Sequence, residues 1–124
     1  FSLQTYRRFS QMPVWKQAMD VSVAIFNFSQ SLPRVEDYAL TSQVRRSSNS
    51  VPANIAEAFG RYHHGNKLNF YYNARGSLCE TKSHLHYAAE IVYLSTSSKQ
   101  QLDAQLDNVW RQMNQIIKRI RQTR

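Results

Sequence analysis

The feature that most constrains the fold of this chain is an apolar spacing that alternates between four and three residues. Near the end of the chain the repeating positions are Leu102, Leu106, Val109, Met113, Ile116 and Ile120. Near its beginning they are Val14, Ala18, Val21, Ile25, Phe28 and Leu32. Because an α-helix makes one turn in about 3.6 residues, this spacing keeps one apolar stripe facing a partner helix. Nowhere does a period-two alternation run long enough to predict a strand.

Two further apolar stripes fill the middle of the chain. The second stripe comprises Leu40, Val44, Ser47, Val51, Ile55 and Phe59, and the third comprises Phe70, Ala74, Ser77, Leu78, Thr81, Leu85, Ala88 and Val92. Pro52 lies inside the second stripe and removes a backbone donor, so the pattern permits either two shorter helices or one long helix bent at Pro52. Asn66 and Ser98 are the predicted N-caps of the third and fourth helices. The predicted helices span about 13–31, 36–60, 66–94 and 98–122.

Length and turn residues indicate how these helices are arranged. A chain of 124 residues suits a single domain, here 1–124, and three Gly with three Pro suit a few long elements. Long helices joined by short links pack as antiparallel neighbours. We therefore predict an all-α, up-down-up-down four-helix bundle. Small residues on the second and third helices predict that these two form the tightest pair.

Charge indicates the class of partner. The chain has 16 Lys and Arg against 8 Asp and Glu, a formal net charge of +8, which attracts polyanions and also keeps a protein soluble. No apolar run approaches the roughly 18 residues of a membrane span. Cys79 is the only cysteine, so no intrachain disulfide forms and we expect a reducing, cytoplasmic location.

The motifs expected of common enzymes are missing from the sequence. A di-iron bundle needs Glu-x-x-His pairs, but no His stands three residues beyond Glu57, Glu80 or Glu90. His84 and His86 are two apart on a helix and point in different directions, which makes a poor metal pair. There is no nucleophile elbow and no phosphate-cradling glycine loop. We predict a protein that is not an enzyme and holds no metal or cofactor.

Two sets of charged residues are candidates for a site. Arg46, Glu57 and Glu80 predict a structural ion-pair network between the second and third helices, and a competing interpretation leaves one arginine, such as Arg45, to bind phosphate. The candidate nucleic-acid-binding residues are Arg45, Arg61, Lys67, Arg75, Lys118, Arg119, Arg121 and Arg124.

Aromatic side chains interleave with cations around the turn between the second and third helices. Such a pattern suits single-stranded nucleic acid, which stacks its bases and pairs its phosphates. The alternative is that Phe59 and Phe70 cap the core while Tyr62, Tyr71 and Tyr72 line a contact between subunits.

The segment 40–61, LTSQVRRSSNSVPANIAEAFGR, resembles a family of bacterial four-helix bundle proteins encoded in intervening sequences of 23S ribosomal RNA genes. Similar matches occur at 14–18 (VWKQA), at 32–33 (LP) and at 74–78 (ARGSL) with Glu80, so the resemblance covers nearly the whole chain. Ala58 departs from it, since the family usually has Gly there, and Cys79 is a second departure.

The resemblance implies one long second helix that contains Pro52 and a ring-shaped homopentamer. It also implies distant similarity to accessory proteins of diversity-generating retroelements, which are thought to work with a reverse transcriptase and its RNA. The immediate family carries no enzymatic activity known to us.

The leading functional hypothesis is therefore an oligomeric, non-catalytic protein that binds RNA or DNA through Lys and Arg, with little reading of bases. The alternative is a scaffold whose basic surface binds an acidic protein such as a polymerase or reverse transcriptase. A third hypothesis is a protein without a selected function in its host.

Overall fold

The computed structural model describes residues 6–123, and in that range all regular structure is helical. The four α-helices are α1 Pro13–Ser29, α2 Leu40–Phe59, α3 His64–Glu90 and α4 Thr96–Gln122. Two short 3₁₀ turns, Phe9–Gln11 and Arg34–Glu36, precede α1 and α2. None of the helices in this range is both long and apolar enough to cross a bilayer.

The helix α2 runs without interruption through Pro52, which is buried. Of the two arrangements that the sequence permits, the structure therefore has the single long helix, as the resemblance implies. It begins at Leu40 and not near residue 36, because Arg34–Glu36 forms the separate 3₁₀ turn. The Glu36 carboxylate accepts the Leu40 N–H at 3.3 Å, so it stabilises the start of a helix that it does not join.

The helix α3 begins at His64, two residues before the predicted start, and Asn66 lies inside its first turn instead of capping it. It ends at Glu90 and not at 94, because Val92 adopts a left-handed φ of 68° that reverses the chain. Val92 N–H donates to Ala89 O at 3.1 Å, and the next residue along donates to Ala88 O at 2.8 Å. These bonds are the pattern of a left-handed C-cap. Val92, predicted to lie in the core, is 86% exposed.

The helix α4 begins at Thr96, capped by Ser95 and not by Ser98. The Ser95 hydroxyl accepts the Ser98 N–H at 3.1 Å, and this bond satisfies one of the donors left open in a first helical turn. The predicted cap, Ser98, therefore lies in the first turn of the helix, three residues beyond the observed cap.

Hydrogen bonds between side chains show that α3 is antiparallel to both α2 and α4. They join Ser47 to Thr81 and Ser50 to Ser77 between α2 and α3, Lys82 to Asp107 and Arg75 to Asn114 between α3 and α4, and Gln17 to Asn108 and Gln112 between α1 and α4. In both helix pairs that contain α3, residues later in α3 bond to residues earlier in the partner helix. The contacts of α1 with α2 and α4 close the bundle.

Buried apolar residues from all four helices form one core, with Ile25, Ile55, Leu85 and Ile120 fully shielded from solvent. The most extensive helix pair is α2 with α3, as the small residues predict. Short hydroxyl side chains let the two backbones approach, and their hydroxyls bond across the contact at 2.8 Å for both pairs.

Candidate nucleic-acid interface

Positive charge is concentrated at one end of the bundle. The antiparallel arrangement brings residues 6–16, 53–75 and 114–123 to the end that carries the α2–α3 turn, which we term the basic end. It holds nine cations, Arg7, Arg8, Lys16, Arg61, Lys67, Arg75, Lys118, Arg119 and Arg121, and one carboxylate, Glu57. The formal charge of the basic end is therefore +8, the same as that of the whole chain.

The opposite end, residues 20–46 and 80–107, has the reverse balance, and we term it the acidic end. It carries seven carboxylates, Asp20, Glu36, Asp37, Glu80, Glu90, Asp103 and Asp107, and five cations, Arg34, Arg45, Arg46, Lys82 and Lys99. Three of these cations form ion pairs, which are Arg46–Glu80 at 3.4 Å, Lys82–Asp107 and Lys99–Asp103 at 2.6 Å. At the basic end, Arg61 pairs with Glu57 at 3.0 Å.

The structure separates Arg45 from the other candidates. Its guanidinium lies 4.3 Å above the Phe26 ring, and its Nε donates to Ser29 Oγ at 2.6 Å, near the end of α1. Arg45 therefore helps to join α1 to α2 at the acidic end. The hypothesis that it stays available for phosphate is not supported by this position.

The predicted network of Arg46, Glu57 and Glu80 divides into two separate surface clusters. Arg46 and His84 both contact the Glu80 carboxylate, at 3.4 and 3.3 Å. Glu57 instead pairs with Arg61, one turn further along the chain, at 3.0 Å. Three turns of helix separate Arg46 from Glu57, too far for a shared carboxylate. Because these side chains are largely exposed, each pair contributes little to stability.

Lys67 has a structural task at the α2–α3 turn. Its ammonium donates to Ala58 O at 3.1 Å and to Phe59 O at 3.4 Å, which are carbonyls in the last turn of α2. Burial lowers the pKa of Lys67 below the ordinary lysine value. Two of its three N–H donors are thus committed within the fold, which leaves little for a phosphate.

The aromatic residues near this turn have different roles. Phe59 and Phe70 pack against the core, as the alternative interpretation predicts. Tyr71 is 2% exposed and belongs to the core itself, so its assignment to a subunit contact was wrong, and burial raises the pKa of its hydroxyl. Tyr62 is 87% exposed, and Arg61 lies 4.7 Å from the centroid of the Phe70 ring.

Two grooves flank α4 at the basic end. The groove against α1, of about 430 Å³, has an apolar floor of Met12, Val14 and Ile116 and a rim that includes Lys118 and Arg119. The groove against α3, of about 360 Å³, is lined by Arg75, Asn114, Ile117, Lys118, Arg121 and Gln122. Arg124, the last candidate, lies outside the described residues.

Sequence reasoning did not include Arg7, Arg8 or Lys16 among the candidate residues. The Arg7 and Arg8 amides donate to Gln11 Oε1 at 2.9 and 3.1 Å, so the segment before α1 is tied to the first 3₁₀ turn. The signal that could have found these residues is the predicted up-down topology. It places the start of α1 beside the end of α4.

Helical architecture and charge together define a class, that of four-helix bundle proteins with a basic end. Residues 10–115 match the family model described as 23S rRNA-intervening sequence protein. The chain belongs to that family, as the resemblance predicts.

One solved structure is similar over nearly its whole length. It is a protein of unknown function from the S23 ribosomal protein family of Bacteroides thetaiotaomicron, with 22% identity and a TM-score of 0.79. The match covers 85% of this chain and 98% of that one, and at this identity it shows the fold alone. A comparison with curated proteins found no match.

Proposed function

We propose that this protein is a non-catalytic, cytoplasmic nucleic-acid-binding protein whose basic end contacts phosphates. The observation that carries the proposal is the separation of charge, with nine cations and one carboxylate at the basic end. Phosphates bind Lys and Arg with little dependence on sequence, so a surface of this kind favours strand backbone over particular bases. Arg61, Arg75, Lys118, Arg119 and Arg121 are the proposed contacts.

We further propose that the working form is a ring-shaped homopentamer, the assembly that the family resemblance implies. Cyclic symmetry places equivalent surfaces of all copies at the same height and radius. Five basic ends would then form one continuous charged ring, with a formal charge of five times +8 for the assembly. Multiple contacts to one strand would raise the apparent affinity without a new contact in any subunit.

The test is a fluorescence-anisotropy titration with labelled RNA, single-stranded DNA and duplex DNA of one length, over a salt series, with the mass of the assembly measured in the same buffer. We expect binding that weakens steeply with salt, since each phosphate contact on a single strand adds about 0.7 to the slope of log K against log salt. The preferred strand type then identifies the substrate class.

A pair of triple variants, equal in charge, locates the site. The variant Lys118→Gln, Arg119→Gln, Arg121→Gln neutralises the basic end, and the control Arg34→Gln, Arg46→Gln, Lys99→Gln neutralises three cations at the acidic end. We expect the first to weaken binding and to lower the salt slope by about 2 for each subunit that contacts the strand, and the control to bind like wild type. Equal loss in both variants would show that net charge alone acts and would contradict the assignment to the basic end.

The scaffold alternative uses the same basic end for an acidic protein. It gains support if a correctly assembled protein shows no affinity for any of the three nucleic acids at roughly 150 mM salt, where unpaired surface charges are screened beyond about 8 Å.

A further inference from the structure

The groove between α3 and α4 at the basic end is lined by three cations and no carboxylate. Arg75 comes from α3, and Lys118 and Arg121 come from α4, with Asn114 and Gln122 beside them. The α4 residues are spaced by three or four along the helix, so they form one row that faces α3. Its volume of about 360 Å³ gives room for one compact group.

Arg75 is the most firmly held cation in the groove. Its guanidinium carbon lies 5.2 Å from the centroid of the Tyr72 ring and 5.4 Å from that of the Trp110 ring. Its Nη1 donates to Asn114 Oδ1 at 2.8 Å. The two rings and the amide fix the plane of the guanidinium, so its remaining N–H groups need little further ordering to bind a ligand.

The charge of Arg75 is not neutralised by any carboxylate in the described part of the chain. Its Nε is buried and has no hydrogen-bond partner. A half-buried cation between two rings with no counter-charge is an expensive arrangement, because its solvation by water is reduced and no ion pair replaces it. An anion seated in the groove would supply the missing charge.

We propose that this groove binds a phosphomonoester, the terminal phosphate of a nucleic-acid strand. This inference rests on the proposed nucleic-acid binding and adds what part of the strand is recognised. A phosphomonoester carries a charge of about −1.5 to −2 at neutral pH and three unesterified oxygens, which suits three converging cations. An internal phosphodiester carries a single charge and two such oxygens, and its strand must leave the groove on both sides.

The experiment compares three RNA strands of identical sequence and length, each with a fluorophore at an internal position. One carries a 5′-phosphate, one a 3′-phosphate, and one hydroxyl groups at both ends. We expect a phosphorylated strand to bind about tenfold more tightly than the hydroxyl strand at constant ionic strength, since paired charges form the strong class of hydrogen bond. The end that gives the larger ratio is the one recognised.

Variants assign the preference to the groove. Arg75→Lys keeps the charge but removes the planar fork and its bond to Asn114, and we expect it to lower the tenfold ratio to less than about threefold. Lys118→Gln and Arg121→Gln, both at exposed positions, should each lower the ratio without affecting folding. The control Arg111→Gln removes an exposed α4 cation outside the groove and should leave the ratio unchanged. Melting curves verify that each variant folds.

The outcomes separate this inference from the proposed function. If all three strands bind equally and with strong salt dependence, the nucleic-acid proposal stands and the terminal-phosphate site is wrong. A preference that persists unchanged in Arg75→Lys, Lys118→Gln and Arg121→Gln also overturns the site. If no strand binds at all, both proposals fail together.

Discussion

Val92 is strained, and relieving the strain should stabilise the protein. At φ 68° it occupies the left-handed region, where the Cβ of an L-residue approaches the following carbonyl oxygen. A β-branched residue is an uncommon occupant, because glycine is the usual residue at this position of a helix C-cap. The substitution Val92→Gly keeps the backbone bonds to Ala88 and Ala89 and removes the side chain that opposes the conformation.

The expected gain is about 1 kcal/mol. The left-handed conformation costs an L-residue about 1–2 kcal/mol, and the β-branch adds to that. Glycine offsets about 0.4–1 kcal/mol of this gain, because it increases the conformational entropy of the unfolded chain. Little contact is lost, since Val92 is 86% exposed. For 124 residues at about 2.1 cal/mol/K each, a gain of about 1 kcal/mol raises Tm by about 4 °C.

The assay is urea and thermal denaturation followed by circular dichroism at a single protein concentration, so that any self-association affects all variants equally. Val92→Ala is the matched control: it removes the branch but keeps the Cβ, so we expect it to remain closer to wild type than Val92→Gly. Val92→Asn should fall between them, since Asn tolerates this region. A Val92→Gly protein that is no more stable than Val92→Ala would refute the strain account.

Two further predictions concern polar contacts. Thr81 and Ser47 are buried, and their hydroxyl groups are joined by a hydrogen bond of 2.8 Å. We expect Thr81→Val and Ser47→Ala each to lower the free energy of unfolding by about 1–2 kcal/mol. The double variant should lose less than the sum of the two single losses, by about 0.5 kcal/mol or more. Additive urea-denaturation values would contradict this coupling. Burial, and then the hydrogen bond to Glu36, raise the pKa of the Tyr93 hydroxyl above the unfolded value near 10. The neutral hydroxyl therefore contributes to the stability of the fold below that pH, and the contribution is lost as pH rises through the folded-state pKa. Tyr93→Phe should therefore lower the urea midpoint at pH 8 and match wild type more closely above pH 10, and a constant difference across that range would contradict the assignment.

Helix positions were predictable because the buried stripes depend on a local period. Leu106, Val109 and Met113 lie on the predicted face, and all are buried. Helix ends were less predictable, because they depend on groups distant in sequence. Glu36 joins a 3₁₀ turn and also bonds Tyr93, 57 residues away. The chain reversal at Val92 leaves this apolar residue exposed to solvent, although the apolar spacing of the third helix predicts that it lies in the core.

The sequence predicts which cations lie near the candidate site better than it predicts how their side chains are arranged. Once the helices are antiparallel, Arg61, Arg75 and Lys118 must share one end of the bundle, and Arg45 must lie at the other. Which cations stay available depends on side-chain partners that no sequence period encodes. Lys67 is committed to the carbonyls at the end of α2, whereas Arg75 is held between rings on two different helices.

The division of charge along the bundle also decides how the molecule meets a partner before any contact forms. A helix such as α3, with 27 residues, is about 40 Å long, whereas ionic screening at physiological salt acts over about 8 Å. A nucleic-acid strand of the kind proposed as partner would therefore experience the basic end alone, and the carboxylates at the far end would not weaken the attraction. The field of such a strand would turn each incoming molecule so that its acidic end points away. Molecules bound side by side would then share one polarity, and they would present to the solvent a second, negatively charged layer in which Tyr38 and Val92 are exposed.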